Sequence, residues 1–198
     1  MRRFVVVGRT ARSTPEFKLQ DLPGTSGRLD VLVRCVRAAL LCSHTIRDDT
    51  VVYLVMLGGP PRALRIDGAL AQYVRPDERN LAVLVQKSLA RVTDREGFVE
   101  LRQGIAVAQG GLDVVLSDLG PATPYVLDEG GLDVRDAALS LADPVFFCGD
   151  HLGLDDAARA TLAPLAPGPL SVGPVSVHAE DALTLVINEL DRRRAKFR

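Results

Sequence analysis

The chain has 198 residues, of which 47% are hydrophobic and 25% charged, with three cysteines and no tryptophan. This length predicts one domain over residues 1–198, large enough to bury a core without a disulfide or a metal. The composition excludes collagen-like, coiled-coil and disordered chains.

Hydropathy and cysteine spacing indicate whether the chain is a membrane, secreted, disulfide-linked or metal-binding protein. No apolar stretch approaches the roughly 18 residues of a membrane span, and the first residues lack the pattern of a signal peptide, so we expect a cytoplasmic protein that does not cross a membrane. Cys35, Cys42 and Cys148 are widely separated, and no cluster of residues has metal-ligand spacing. We therefore expect neither a disulfide framework nor a metal site.

The formal net charge of -1 is the sum of unlike segments. Residues 1–102 carry 17 basic and 11 acidic side chains, whereas residues 103–191 carry 2 and 14, and the last seven residues add five basic groups. The basic segments suit a polyanion such as RNA, and the acidic segment suits a cationic small ligand. The alternative is that these charges only keep the surface solvated.

In the first half of the chain, apolar runs alternate with helical patterns. Phe4–Val7 reads as a buried strand, residues 9–27 as a long loop, and residues 29–40 as a helix capped by Ser26 or Thr25. Val51–Leu57 is predicted to form the next strand. Leu64–Ile66 and Ala69–Tyr73 could pair as a short hairpin.

The second half continues the alternation. Helices are predicted after Pro76, over Leu112–Leu116, over Ala157–Leu165 and from Ala182 into the basic tail, and a strand over Ile105–Ala108. Three further apolar runs each lead into a glycine-bearing loop; they end near Leu127, Cys148 and Leu170.

The alternating pattern predicts an α/β fold with a largely parallel sheet. Ligands of such sheets bind beyond the carboxyl ends of the strands. The three glycine-bearing loops are therefore the candidate ligand site, with ordinary turns as the alternative. Dinucleotide and P-loop fingerprints are absent from the sequence.

Several strings together resemble the SPOUT superfamily of knotted RNA methyltransferases, and within it the archaeal tRNA pseudouridine-54 N1-methyltransferase family. The resemblance covers nearly the whole chain. The strings that carry it are residues 4–11, 22–32, 76–80, 147–154, 170–173 and 176–191.

The resemblance implies a SPOUT-type, Rossmann-like sheet with a C-terminal deep trefoil knot, a homodimer, S-adenosylmethionine as cofactor and tRNA as substrate. It also implies which residues enclose the cofactor. They are Leu127, Asp128, Cys148, Gly149, Asp150, His151, Gly153, Leu170, Ser171, Val172, Val177 and Ala182. For Asp128 and Asp150, attraction of the cationic sulfonium and a turn-forming role are both open.

Three positions depart from the family pattern. Arg9 and Asp181 stand where histidine is expected, and Ala182 stands where some members have cysteine. A backbone contact at Ala182 could survive this change. Any role that depends on a histidine side chain at these two other positions would be lost, because arginine and aspartate stand there.

Methyl transfer to a pyrimidine nitrogen needs alignment of the nucleophile with the methyl group, and a group that takes the N1 proton. We expect Asp30, beside Arg28, to be the first candidate and Asp77 or Glu78 the second; a helix-dipole role for Asp30 and a helix cap for Asp77 are the alternatives. Arg9, Arg12, Arg28 and Arg79 could bind RNA phosphates. A non-catalytic RNA-binding or assembly factor on the same fold is the alternative function.

Overall fold

The computed structural model describes residues 1–195. Its strands join into one eight-stranded sheet in the order β4-β5-β3-β2-β1-β7-β6-β8. The strands are β1 (Arg2–Gly8), β2 (Thr50–Met56), β3 (Arg62–Asp67), β4 (Val99–Arg102), β5 (Ile105–Gln109), β6 (Thr123–Asp133), β7 (Pro144–Gly149) and β8 (Pro169–Ser171).

The α/β class is confirmed, but only one half of the sheet is parallel. Strand β1 pairs in parallel with β2 and β7, and β6 pairs in parallel with β7 and β8. Strands β3, β4 and β5 join the edge beside β2 through antiparallel pairings. The short link of residues 57–61 explains the change, because a connection this short can join only antiparallel neighbours.

The predicted hairpin at residues 64–73 is wrong. Leu64–Ile66 lies in β3, which pairs with β2 and β5, and Ala69–Tyr73 forms no strand. The Asp67 side chain accepts a hydrogen bond from the amide of Ala69, and the Gly68 amide donates to the carbonyl of Thr50. These bonds turn the chain back towards β2, so the second hairpin strand cannot form.

Helices cover both faces of the sheet, as the two-sided burial of the central strands requires. Their bounds are α1 (Leu22–Thr25), α2 (Leu29–Leu40), α3 (Glu78–Leu89), α4 (Leu112–Leu119), α5 (Asp156–Leu162) and α6 (Ala179–Ala195). Phe4 and Val6 face a core shared with α2, α3 and α6, whereas Val5 and Val7 face one shared with α4 and α5. This alternation is that of a strand.

The entry into α2 matters for the site described below. The Ser26 hydroxyl accepts a hydrogen bond from the Leu29 amide at 3.1 Å and so satisfies the first amide of α2, although the N-cap residue is Arg28 and not Ser26 or Thr25 as predicted. Arg28, the residue before the helix, has a left-handed backbone with φ of 65°. The cap and this sharp turn place Arg28 and Asp30 side by side at the start of α2.

The last helix returns across the molecule. After β8 at one edge of the sheet, α6 packs against α2, and Asp191 accepts a hydrogen bond of 2.8 Å from Arg2 at the start of β1. Arg192, Arg193 and Arg194 of the predicted basic tail lie in its last turn; Lys196 and Arg198 lie outside the described residues. No helix within residues 1–195 is long and apolar enough to cross a bilayer.

Candidate functional site

A cavity of about 1150 Å³ opens beyond the carboxyl ends of β6, β7 and β8, where the first turn of α6 and the start of α2 close it. The structure brings all twelve predicted cofactor residues to its wall. They are Leu127, Asp128, Cys148, Gly149, Asp150, His151, Gly153, Leu170, Ser171, Val172, Val177 and Ala182. The three glycine-bearing loops therefore form one site, although they are separated in sequence.

The loop after β7 is shaped by Gly149 and Asp150. A side chain at Gly149 would place a Cβ only 2.1 Å from the carbonyl carbon of Gly153, so the turn has room for glycine alone. The carboxylate of Asp150 accepts hydrogen bonds of 2.9 Å from the amides of Leu152 and Arg9. Asp150 thus ties the loop after β1 to the loop after β7.

These bonds bear on the two roles that are open for Asp150, attraction of a cationic ligand and formation of the turn. Its side chain is buried, and both of its oxygens are engaged by backbone amides. The turn-forming alternative describes it better. Asp128 is similar: it forms an ion pair of 2.6 Å with Arg159 and accepts a bond from the Gly130 amide, and the Arg159 bond holds the pKa of Asp128 below its ordinary value.

A chain of ion pairs crosses from α2 to α6 at the cavity wall. Arg28 donates to both oxygens of Asp30 at 3.0 and 3.1 Å, and Arg34 donates to Asp30 at 2.8 Å. Arg34 also donates to Oε1 of Glu180 at 2.7 Å. Arg28, Arg34 and Glu180 line the cavity, so they form a charged wall opposite the loops.

Asp30 is not at the cavity surface. Its side chain lies behind the two arginines, and the residue is only 2% exposed. Burial by itself would raise the pKa of Asp30, but the hydrogen bonds from Arg28 and Arg34 outweigh it and the pKa falls below its ordinary value. A carboxylate stabilised in this way is a poor proton acceptor, which corrects the expectation that Asp30 takes the proton.

Asp77 is a helix cap. Its side chain accepts a hydrogen bond of 2.9 Å from the Asn80 amide at the start of α3 and another from the Asn80 side chain, and these bonds lower its pKa. Asp77 does not line the cavity. The prediction of a catalytic role for Asp77 is therefore replaced by the capping alternative.

The predicted RNA-binding arginines occupy different places. Arg28 lines the cavity, whereas Arg9 donates from its side chain to the Leu152 carbonyl at 3.2 Å and Arg12 donates to the Thr25 carbonyl at 2.8 Å. Arg79 is exposed on α3. Only Arg28 of the four lies at the cavity wall, so the others can reach an RNA only outside it.

The reasoning from sequence missed Arg34 and Glu180. The spacing of Asp30 and Arg34 is that of an i,i+4 ion pair on a helix and could have been recognised. Glu180 could not, because it meets Arg34 across 146 positions of sequence. Oε2 of Glu180 is buried and has no hydrogen-bond partner among residues 1–195.

The remaining chemistry of the cavity excludes a reactive thiol. Burial raises the pKa of the Cys148 thiol to about 12, so it stays protonated near neutral pH. Within the described 195 residues, no group of three or more His, Cys, Asp or Glu side chains is placed to hold a metal ion. The wall combines apolar side chains with five acidic and three basic ones.

Comparison with known proteins agrees with this geometry. Residues 1–195 match the model of a family described as "Putative SAM-dependent RNA methyltransferase", where SAM is S-adenosylmethionine. Proteins named tRNA (pseudouridine(54)-N(1))-methyltransferase are similar over nearly their whole length. The one from Halobacterium salinarum is 45% identical, covering 96% of each chain. The one from Methanosarcina acetivorans is 38% identical, covering 99% of this chain and 93% of its own.

A solved structure supports the fold. Archaeoglobus fulgidus Nep1, bound to S-adenosylhomocysteine, superimposes with a TM-score of 0.66 at 16% identity and covers 98% of this chain and 99% of its own. The match of the family model over residues 1–195, together with the two full-length relatives, decides the family. The chain belongs to the family of SAM-dependent RNA methyltransferases.

Proposed function

We propose that this chain transfers the methyl group of S-adenosylmethionine to N1 of pseudouridine 54 in tRNA. The observation that carries the proposal is the single cavity that gathers the twelve residues implied by the family resemblance. The names of the relatives at 45% and 38% identity supply the substrate. Because these relatives are named as tRNA methyltransferases, an archaeal-type tRNA is the first substrate to test.

The cavity fits S-adenosylmethionine in its chemistry. Leu127, Leu170 and Val172 offer an apolar surface for the adenine ring, next to backbone groups of the loops. Oε2 of Glu180 is a buried carboxylate oxygen without a partner among the described residues, and the N–H group of a nucleotide bound beside the cofactor would satisfy it. The bound cofactor would supply an electrophilic methyl group on a cationic sulfonium.

We assign Arg28 and Arg34 to positioning of the RNA nucleotide. Asp30 fixes Arg28 by two hydrogen bonds and Arg34 by one, so both guanidinium groups are held before a ligand enters. Arginines held in this way can contact phosphate or base oxygens with little loss of conformational entropy. Arg9, Arg12 and Arg79 would add phosphate contacts around the entrance.

The proton on N1 must leave as the methyl group is transferred, and we assign its acceptor to Glu180. Asp128 and Asp150 are engaged by Arg159 and by backbone amides, and Asp30 is engaged by two arginines. Oε2 of Glu180 has no hydrogen-bond partner among residues 1–195, while Arg34 holds Oε1. A proton on Oε2 would therefore cost no existing hydrogen bond, and because Oε2 is buried, the Glu180 side chain must turn towards the cavity to reach N1.

We also propose a deep trefoil knot, one domain over residues 1–198, a homodimer and a cytoplasmic location. The return of α6 from β8 across the sheet to α2 supports a threaded C-terminal segment, and the single sheet that spans residues 2–171 supports one domain. Val175, Val177 and Leu185 are large apolar side chains exposed before and along α6. They support a contact between two copies.

The test is a methylation assay on unmodified and pseudouridine-containing tRNA transcripts, followed by nucleoside mass spectrometry. The proposal predicts N1-methylpseudouridine only in the transcript with pseudouridine 54. Tight RNA binding without any methyl incorporation would instead support the non-catalytic RNA-binding or assembly factor.

A further inference from the structure

A second concavity, away from the cofactor cavity, carries positive charge only. Its volume is about 350 Å³, and we call it the basic groove; its polar and aromatic lining residues are Tyr73, Arg75, Asn80, Lys87, Ser88, Arg91 and Arg102. Among the described residues, no acidic side chain lines it. A surface with four cations and no anion attracts a polyanion.

The cations of the basic groove are available to a ligand. Arg75, Lys87 and Arg91 are exposed, and within residues 1–195 their side chains form no hydrogen bond or ion pair. Arg102 donates one hydrogen bond, of 3.1 Å, to the carbonyl of Gln72. Three of the four cations are thus free of internal partners, unlike Arg28 and Arg34 at the cavity.

The basic groove follows one face of α3. Asn80 and Lys87 are separated by seven positions, about two helical turns, and lie on the same side of α3, whereas Arg91 lies in the turn just after the helix ends at Leu89. Apolar residues of α3, β4 and β5 form its floor. The cations therefore come from α3, from the segments on either side of it and from β4, and they surround one groove in which a nucleic-acid strand can place its phosphates.

Tyr73 lines the same groove as these cations. Its side chain is 87% exposed, and its backbone adopts the left-handed conformation with φ of 59°, which is strained for a residue with a Cβ. No aromatic partner packs on it among the described residues. An exposed aromatic ring beside several cations is the combination that binds single-stranded nucleic acid.

The start of α3 lies beside the cofactor cavity, and the basic groove lies further along the helix. Arg34 of the cavity wall lies 3.6 Å from Glu78, the first residue of α3. Lys87 is about 14 Å further along the helix axis, from the rise of 1.5 Å per residue. That distance corresponds to about four stacked nucleotides at 3.4 Å each. An RNA strand could leave the cavity and follow α3 directly.

We propose that the basic groove binds the RNA strand that flanks the methylated nucleotide, with Arg75, Lys87 and Arg91 on its phosphates and Tyr73 stacked on an unpaired base. The inference rests on the proposed function, because it takes the nucleotide in the cavity as its starting point. It adds a binding surface that the cofactor cavity does not include.

The test compares Lys87→Gln, Arg91→Gln and the double variant with the control Arg37→Gln, which removes an exposed cation from the solvent side of α2. The affinity of each protein for the pseudouridine-containing tRNA transcript is measured from 50 to 300 mM KCl. Each groove substitution should make the slope of log affinity against log salt shallower by about 0.7–0.9, and the double variant by about twice that. Arg37→Gln should leave the slope unchanged.

Tyr73→Ala tests the stacking contact. It should weaken binding of the transcript about tenfold without changing the salt slope, because it removes a stacking surface and no charge. Methyl transfer by the groove variants should show a higher KM for RNA with kcat nearly unchanged. Affinity for S-adenosylhomocysteine should equal that of the wild type in all of them, which also shows that they are folded.

The outcomes separate the two proposals. If the double variant keeps the wild-type salt slope, or if Arg37→Gln lowers it equally, the basic groove is not the RNA surface, whatever the methylation assay shows. If the groove variants change the slope as expected but the wild type methylates no RNA, the groove stands and the proposed reaction fails.

Discussion

Arg34 on α2 donates a 2.7 Å hydrogen bond from Nε to Oε1 of Glu180 on α6. This bond joins the start of the last helix to the first long helix of the chain. The same guanidinium holds Asp30. Arg34 therefore connects two parts of the cavity wall. Through Glu180 it holds the first turn of α6, which closes the cavity, and through Asp30 it contacts the buried carboxylate that also binds Arg28.

Replacing Glu180 tests the assignment of the proton acceptor. Glu180→Gln should keep the shape and part of the bond to Arg34 but remove the acceptor for the N1 proton, so kcat should fall by about 10²–10⁴. The measurement is single-turnover methylation at pH 7.5.

The control for this prediction is Asp181→Asn. Asp181 is exposed at the same turn of α6, lines the same cavity and forms no ion pair within the described part of the chain. Its substitution should change kcat by less than threefold. If Glu180→Gln retains wild-type kcat, Glu180 is only a structural partner of Arg34.

Replacing Asp30 should affect stability first. Asp30→Asn leaves Arg28 and Arg34 without their buried carboxylate, and we expect a loss of about 2–3 kcal/mol in the free energy of unfolding. This is less than for a fully buried pair, because the two arginine side chains are 40% and 31% exposed. Urea titration measures the loss, with the exposed Asp136→Asn as the control.

The same variant has a defined pH dependence. Because the pKa of Asp30 is lowered in the folded protein, its contribution to stability is present above the unfolded value of about 3.9 and is lost as pH falls through the folded value. The difference between wild type and Asp30→Asn should be constant from pH 6 to 8 and shrink below pH 4. A difference that persists unchanged at pH 2.5 would show that the ionised form is not what stabilises the fold.

Gly149 tests the shape of the loop after β7. A Cβ at this position would lie 2.1 Å and 2.4 Å from backbone atoms of Gly153 and Leu154, so Gly149→Ala must displace the loop. We expect a destabilisation of about 1–3 kcal/mol and at least tenfold weaker binding of S-adenosylhomocysteine, measured by calorimetry. Gly130→Ala is the matched control, since its nearest contact is an ordinary 3.5 Å. Equal affinities of the two variants would place the ligand away from this loop.

Thiol labelling tests the closed packing around Cys148. Cys42 is exposed, whereas Cys35 and Cys148 are buried, and burial raises the pKa of both buried thiols. Iodoacetamide at pH 8 should therefore label Cys42 rapidly and the other two only after denaturation, as counted by mass spectrometry. Fast labelling of Cys148 in the folded protein would mean that this part of the cavity wall opens.

The sequence predicted the parallel half of the fold because its signals are local. Phe4–Val7 and Val51–Leu57 are uninterrupted apolar runs typical of strands buried on both faces. The antiparallel pairing of β3 was missed. It is determined by the short link between β2 and β3 and by the hydrogen bonds of Asp67 and Gly68 in the turn that follows β3. Tertiary contacts decide such pairings, and local patterns do not show them.

The location of the candidate site was predictable from the sequence, but the roles of some of its residues were not. Glycine-bearing loops after strands indicated where the cavity would form, and the family resemblance indicated its residues. The role of Asp30 was not predictable, because it depends on Arg34 and on how deeply α2 is buried. The basic groove was also missed, since it combines residues from α3, the segments on either side of it, β4 and β5, which share no sequence motif.

The central claim is tested most directly by incubating the protein with methyl-labelled S-adenosylmethionine and two tRNA transcripts that differ only in uridine or pseudouridine at position 54. The account predicts label in N1-methylpseudouridine from the second transcript and none from the first. Label at another nucleoside, or equal labelling of both transcripts, would contradict it.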